Sequence, residues 1–326
     1  MKKFSVLVTF IFLLLPGFLV GVLRLQHGDF SYWVHPQETR NLKKRLETNY
    51  PYICGNVFRN VCDFIFDETT PHLDSAQIKD GDIIFVRNQN DFLDYFFTRY
   101  HPNIKAKYIL VTHNSICLEG LGKYKKYLDD ENIVAWFGKN LVIDHPKASP
   151  IPLGIGNRYW WFGKKYCIDK VLKNPSKKDK FLCMNFVIGI QRERRGPIRL
   201  RVSNLFKDKS FCYKPGRKSF QSYLIDIARS KFVLSPEGNG IDCHRTWESM
   251  LLGSIPIITS SGIDCLFEGL PIIIVNDWIE VTKEFLEQKY KELCNHKYNL
   301  EKLYADYWLN KVLDFQKEVK RMYGES

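Results

Sequence analysis

The residues best placed to do chemistry fall within positions 231–258, where Arg245 and Glu248 follow the loop residues Gly238, Asn239 and Gly240. Phe232, Val233 and Leu234 form a short apolar run that Ser235 and Pro236 end, and the glycines give backbone freedom for a tight turn. Asp242 is the expected N-cap of a helix in which Trp247, Met250 and Leu251 share a core face, with Gly253 where a helix-ending glycine belongs. Arg245 and Glu248, three apart, share another face. An arginine beyond the C-terminal end of a strand and beside a helix N-terminus suits a diphosphate, because a planar guanidinium pairs with two oxygens at once. A carboxylate one turn on suits ribose hydroxyls. The spacing predicts a grip for a nucleotide sugar; the competing reading is an ordinary solvated ion pair.

Two further residues could move protons. His113 lies where an apolar strand opens into a loop, and an imidazole near neutrality can take a proton from a hydroxyl, although a lone histidine is often structural. Glu237 sits in the glycine loop, placed to touch a bound sugar; a loop carboxylate is otherwise simply solvated. Both are candidate catalytic residues. Asp80-Gly81-Asp82 has the form of a metal-holding acidic pair, but it precedes a strand and Asp-Gly is a turn dipeptide. It is read as a turn, and no residue is assigned to a metal.

The elements that must hold these residues are arranged as alternating strands and helices. Strands are expected at 83–86, 108–111 and 133–137, with helices near 91–97 and 124–129 between them. A proline- and glycine-rich passage over 145–157 is too apolar for a floppy linker and suits the rim of a cleft. Residues 169–180, with Asn174-Pro175-Ser176 and several lysines, read as the linker. Beyond it come strands at 181–188 and 211–213, an amphipathic helix capped by Ser219, the motif already described, a strand at 271–275 and two closing helices. This alternation predicts two α/β domains, at 76–168 and 176–326.

Ahead of them, residues 4–23 are uncharged and mostly apolar. A helix rises about 1.5 Å per residue, so twenty residues reach about 30 Å, the thickness of a bilayer core. Residues 1–25 are therefore expected to be a transmembrane signal-anchor, with a cleaved signal peptide as the alternative and Pro16-Gly17 as a break in the helix. Lys2 and Lys3 favour a cytoplasmic N-terminus, against Arg24 at the other end. The expected setting is a single-pass membrane protein, in the Golgi or another secretory membrane for a eukaryotic source. Residues 26–75 read as stem and extension, with a short helix near 39–47.

The 326 residues carry a net charge of +12, which favours anionic partners. Neither an RNA-binding signature, zinc-finger spacing nor a basic zipper accompanies that charge, so no nucleic-acid partner is expected. Nine cysteines with no C-x-x-C disfavour structural zinc and thioredoxin-type chemistry. Cys54 and Cys62 are the pair to test for a bridge, while Cys183 and Cys212 are expected to be buried thiols.

The string Pro236, Gly238, Arg245, Glu248, Gly253, Ile255 and Pro256 resembles the C-terminal signature of exostosin-like glycosyltransferases. The resemblance continues through Leu266-Phe267-Glu268 and Leu270-Pro271 to Trp278, and covers about 81–278 in all. His145-Pro146-Lys147, Ile151-Pro152-Leu153-Gly154 and Trp160-Trp161 also match the family. The resemblance implies two facing Rossmann-like domains of the GT-B type, with the donor held by the C-terminal one and a glycan acceptor by the N-terminal one. It implies transfer of a sugar from a nucleoside diphosphate sugar, a UDP-sugar by preference, to a glycan hydroxyl with inversion. No further cofactor is implied, and a divalent cation is left open. Gly238, Asn239, Gly240, His244, Arg245 and Glu248 would bind the donor. Arg195, about ten residues after Asn185-Phe186, would join Arg245 on the diphosphate, with Arg192 and Arg194 as competitors. Related sequences follow the His-Asn pair with an acid two residues on, where this chain has Ile116. Either His113 acts without that acid or the base is elsewhere. A non-catalytic protein keeping the nucleotide grip is the alternative function.

Overall fold

The computed structural model describes residues 7–15, 18–27, 29–34, 46–114, 121–188 and 196–324. Arg192, Arg194, Arg195, Ile116 and most of the expected 39–47 helix lie outside them.

The first expectation to change concerns 4–23. In place of one helix, Leu7–Leu15 (β1) and Phe18–His27 (β2) pair as an antiparallel hairpin, and Phe30–Val34 (β3) adds to β2. Pro16 and Gly17 interrupt the run at its middle, and the β-branched Val8, Thr9, Ile11, Val20 and Val22 suit extended backbone. No helix among the described residues is long and apolar enough to cross a membrane. Phe30 is fixed to the body of the protein, packed edge-on against Phe92 with centroids 5.1 Å apart.

A short helix, Gly55–Arg59 (α1), leads into the first parallel sheet, ordered Phe64–Phe66 (β4), Ile83–Arg87 (β5), Tyr108–His113 (β6), Ile133–Lys139 (β7) and Ala148–Ile151 (β8). Helix Asn90–Tyr95 (α2) follows β5. The near-continuous apolar runs in β5 to β7 are those of strands covered on both faces. Alternate residues divide accordingly: Ile84, Val86, Leu110 and Trp136 enter an outer core, and Phe85, Ile109, Val111 and Phe137 an inner one. The Asp80-Gly81-Asp82 turn is borne out: Gly81 has φ +82°, and the two aspartates accept the amides of Lys107 and Lys79.

Helix Lys165–Lys173 (α3) takes in the start of the expected linker, residues 169–173, because Cys167, Ile168 and Val171 form a buried stripe at helical spacing. The second parallel sheet follows, ordered Cys212–Tyr213 (β10), Lys180–Cys183 (β9), Ser230–Leu234 (β11), Ile255–Thr259 (β12) and Ile273–Val275 (β13). Between its strands run Gly196–Phe206 (α4), Phe220–Ala228 (α5) and His244–Leu251 (α6). Ser219 caps α5 as expected, its side chain accepting from the Ser222 amide.

Helix Lys283–Cys294 (α7) stays with this sheet, but Ala305–Tyr323 (α8) does not. It returns to the first domain, where Phe315 meets Phe137 at 5.9 Å and Gln316 donates to Asp63 and to the Gly81 carbonyl. The inner core is consequently one cluster running from Phe85 and Phe137 through Ile168 and Trp308 to Val233 and Trp247. The cysteines among the described residues are free: Cys54 accepts from the Asn49 amide and Cys62 donates to the Phe58 carbonyl, so the suggested Cys54–Cys62 bridge is not present. Cys183 and Cys212 are buried thiols, as expected.

Candidate functional site

The second sheet has one place where strand order reverses, between β9 and β11, since β10 pairs on the far side of β9. Ligands in open α/β sheets sit in the crevice beyond the strand ends at such a point. Arg245 lies there, in the first turn of α6, 7 % exposed. Its Nε donates to the carbonyl of Asn185 just past β9 at 3.4 Å, and its guanidinium lies 5.3 Å from the centre of the Phe186 ring. Its Nη1 is buried with no hydrogen-bond partner. Burying a cationic donor without a partner is costly, so a missing acceptor is the natural occupant.

A second guanidinium meets it. Arg199 of α4 is 5 % exposed and sits 5.7 Å from the same Phe186 ring. It donates to the carbonyls of Glu237 (2.7 Å) and Val187 (3.0 Å). Burial and the nearby Arg245 charge hold its pKa down to about 10. Neither arginine has a carboxylate partner among the described residues, which rules out the surface ion pair between Arg245 and Glu248. Two buried guanidinium groups flanking one ring, neither within ion-pair distance of an Asp or Glu among the described residues, make an anion-seeking site.

The glycine loop is shaped by close approach rather than by unusual dihedrals. Neither Gly238 nor Gly240 has a positive φ; instead a Cβ on Gly238 would meet the Arg199 guanidinium, and one on Gly240 the Asn140 side-chain amide. Asn239 faces inward with an unpartnered, buried Oδ1. Gly253 does what a helix-ending glycine should, with φ +69° and its amide on the Met250 carbonyl. Asp242 is not the N-cap. Cys243 takes that position, because the Asp242 carboxylate already accepts the Leu153 amide at 2.7 Å and the Trp247 indole at 2.8 Å. Burial raises Asp242 to about 6. With the Asp242 amide on Asn140 Oδ1 (3.1 Å), these bonds tie the loop to the first domain.

Glu248, one turn beyond Arg245, is buried and accepts from Tyr223 Oη at 2.7 Å. Burial raises its pKa to about 7, opposed by that hydrogen bond and the Arg245 charge. Glu237 is half-buried in the loop, its backbone already engaged by Arg199.

His113 is a different matter. At 2 % exposure its Nδ1 accepts the Asn114 amide (2.7 Å), so Nε2 carries the proton and points at the Pro152 carbonyl (3.1 Å). Burial holds it down to about 3. With its one lone pair already taken, it cannot act as a base where it stands; it positions the 150–154 segment. His244 has the reverse arrangement: Nδ1 sits 2.7 Å from the Gly154 carbonyl. The structure thus gathers Gly238, Asn239, Gly240, His244, Arg245 and Glu248 along one loop and helix, with His113 one segment away. Arg195 lies outside the described residues. Arg199, Phe186, Tyr223 and Asn140 are additions to the sequence-derived set. Of these, Arg199 carried a signal, since it shares helical spacing with the buried Val202 and Phe206.

No protein-family profile matches the chain, and no curated protein does. Among solved structures it is similar to UDP-GlcNAc 2-epimerase from Methanocaldococcus jannaschii, at 12% identity and TM-score 0.34 over 72% of this chain and 77% of that one. It is also similar to a glycosyltransferase from Rickettsia africae, at 14% identity and TM-score 0.36 over 73% and 76%. A third likeness, to the GtfA/B complex, has 10% identity and TM-score 0.33 over 96% and 62%. Likeness at this level fixes neither a family nor an activity.

Proposed function

We propose that this protein is a glycosyltransferase of two facing Rossmann-like domains, of the GT-B type, that takes a sugar from a nucleoside diphosphate sugar, by preference a UDP-sugar. The acceptor is a glycan hydroxyl held toward the first domain, and the anomeric carbon inverts. The observation that carries this reading is the buried Arg199–Phe186–Arg245 cluster at the β9/β11 crevice, with Arg245 Nη1 unpartnered. Departure of a diphosphate needs its growing negative charge met by fixed positive groups, and two guanidiniums with the α6 N-terminus supply them. The resemblance of 236–256 to the exostosin-like signature supports the same assignment. Glu248, shared with Tyr223, is the ribose ligand, and Glu237 faces the donor sugar.

A second reading is favoured by one finding. Because both ring nitrogens of His113 are engaged, the expected base is disabled, as in a protein that binds nucleotide sugars without turning them over. Release of UDP from a panel of UDP-sugars, with and without oligosaccharide acceptors, separates the two: turnover supports the enzyme, and tight binding without release supports the binder. The apolar residues 4–23 enter the proposal as a membrane attachment with a cytoplasmic N-terminus. Retention in the membrane pellet after a high-salt wash supports it, and full release contradicts it.

A further inference from the structure

We infer that His244 is the general base of the transfer, a role that rests on the glycosyltransferase reading and goes beyond the donor contact expected of it. His244 opens α6, immediately before Arg245. The Gly154 carbonyl can only accept, so the 2.7 Å contact puts the proton on Nδ1 and leaves the Nε2 lone pair bare. Among the described residues nothing hydrogen-bonds to Nε2, and the ring, half-buried, is not sealed from solvent as His113 is.

His244 precedes Arg245 at the start of α6 and faces the first domain, while Arg245 turns to Asn185 and Phe186. Against His244 stands an aromatic shelf from the first domain's 157–163 segment: Phe162 lies 5.5 Å from the His244 ring, Trp160 stacks on Phe162 at 5.6 Å, and Trp161, 61 % exposed, meets Phe162 edge-on. Such faces suit the apolar side of a sugar ring. Burial, joined by the Lys139 charge at the end of β7, holds the imidazole down to about 4, so it is unprotonated at neutral pH.

The step balances without any further reactant. The acceptor hydroxyl oxygen forms its bond to the anomeric carbon while the bond from that carbon to the diphosphate oxygen breaks, and that electron pair leaves with the diphosphate. The hydroxyl proton passes to Nε2. Nδ1–H remains on the Gly154 carbonyl, which steadies the imidazolium until it returns its proton to water.

The decisive variant is His244→Asn, whose side-chain amide can reproduce the bond to the Gly154 carbonyl but has nothing at the Nε2 position. UDP release from a UDP-sugar in the presence of oligosaccharide acceptor should fall on the order of a hundredfold or more in kcat, a loss well beyond any weakening of UDP binding that calorimetry records for the same variant. The inflection near pH 4 in the wild-type kcat profile should vanish, while those of Asp242 and Glu248, at about 6 and 7, stay. Transfer within about threefold of wild type would overturn the assignment, as would a loss wholly in KM matched by weaker UDP binding. A measurement on the wild type stands independently: nitrogen-15 spectra of labelled histidine should show His244 as the Nδ1–H tautomer, and an Nε2–H tautomer would overturn the inference. If wild type neither binds UDP nor releases it from any donor, the glycosyltransferase reading itself fails; that is a separate outcome from a wild type that turns over and a variant that matches it.

Discussion

Arg245 and Arg199 are both arginines near the start of a helix, yet they serve the proposed nucleotide site in different ways. Arg199 spends its donors on the carbonyls of Glu237 and Val187, so it holds the loop as well as adding charge. Arg245 keeps Nη1 in reserve. Arg199→Met should therefore cost stability, about 1–3 kcal/mol for stranded acceptors, as well as affinity, whereas Arg245→Lys should leave the melting temperature nearly unchanged. Thermal melts of the two variants check this, and equal destabilisation by both would contradict it. Glu248 and its neighbours give a prediction about pH. A carboxyl lifted from 4.5 to about 7 by folding is protonated more readily in the native state, so its contribution is complete below the unfolded value and is lost as pH rises from about 4.5 to 7. Asp242, raised to about 6, acts in the same direction. His113 and His244, lowered to about 3 and 4, do the opposite: their contribution is present above about 6.5 and lost as pH falls. Removing the Glu248 titration with Glu248→Gln should make stability climb more steeply between pH 5 and 7 than in wild type, by about 2 kcal/mol over that window. Denaturant melts across that range decide it; parallel curves would mean that Glu248 does not titrate there.

At the scale of elements, the βα unit around Arg245 was readable because each local signal agreed: an apolar run, a Ser-Pro stop, helical spacing of Trp247, Met250 and Leu251, and a terminal glycine whose φ is +69°. The role of Asp242 was not, because its partners, Leu153 and Trp247, lie in another domain and one helical turn away, and a short aspartate takes whichever donor tertiary packing brings. His113 failed as a base for the same reason: its loop position is visible in sequence, but the Asn114 amide and Pro152 carbonyl on its two nitrogens are not. The 4–23 segment is long and apolar enough for a helix, and Pro16-Gly17 was the local clue to a different backbone. The 150–154 segment, which delivers carbonyls to both histidines, makes its own prediction. Gly154 has φ +66°, and a Cβ there would run into the backbone of Ile53. Gly154→Ala combines a left-handed cost of about 1–2 kcal/mol with a collision that rigid backbone cannot relieve. The variant should melt several degrees lower and transfer more slowly; an unchanged melt would show that the segment has slack the structure does not suggest.

For the whole molecule, the last helix decides how the two domains behave. Sequence alternation reveals two α/β sheets, but nothing in the composition of 305–323 says which of them it covers; its apolar face suits either. In the structure it covers the first, and Trp308, Val312 and Val319 complete a core shared by both sheets. Ending the chain at 304 should therefore expose Phe137 and Val111 and abolish cooperative unfolding of the first domain, although the lost helix comes from the other end of the sequence. Calorimetry of the intact chain should give a single transition, and two separable ones would contradict a shared core.

If the crevice between β9 and β11 holds a nucleoside diphosphate between Arg199 and Arg245, as proposed, titration calorimetry with UDP will register it. Full-length wild type should bind UDP more tightly than UMP, because the second phosphate meets the second guanidinium. Arg245→Lys should weaken UDP roughly ten- to a hundredfold, the cost of about 1.5–3 kcal/mol for a lost charge-assisted hydrogen bond, while leaving UMP less affected. Equal affinity of wild type and Arg245→Lys for UDP, or no UDP binding to wild type at millimolar concentration, would mean that the two arginines do not hold a diphosphate.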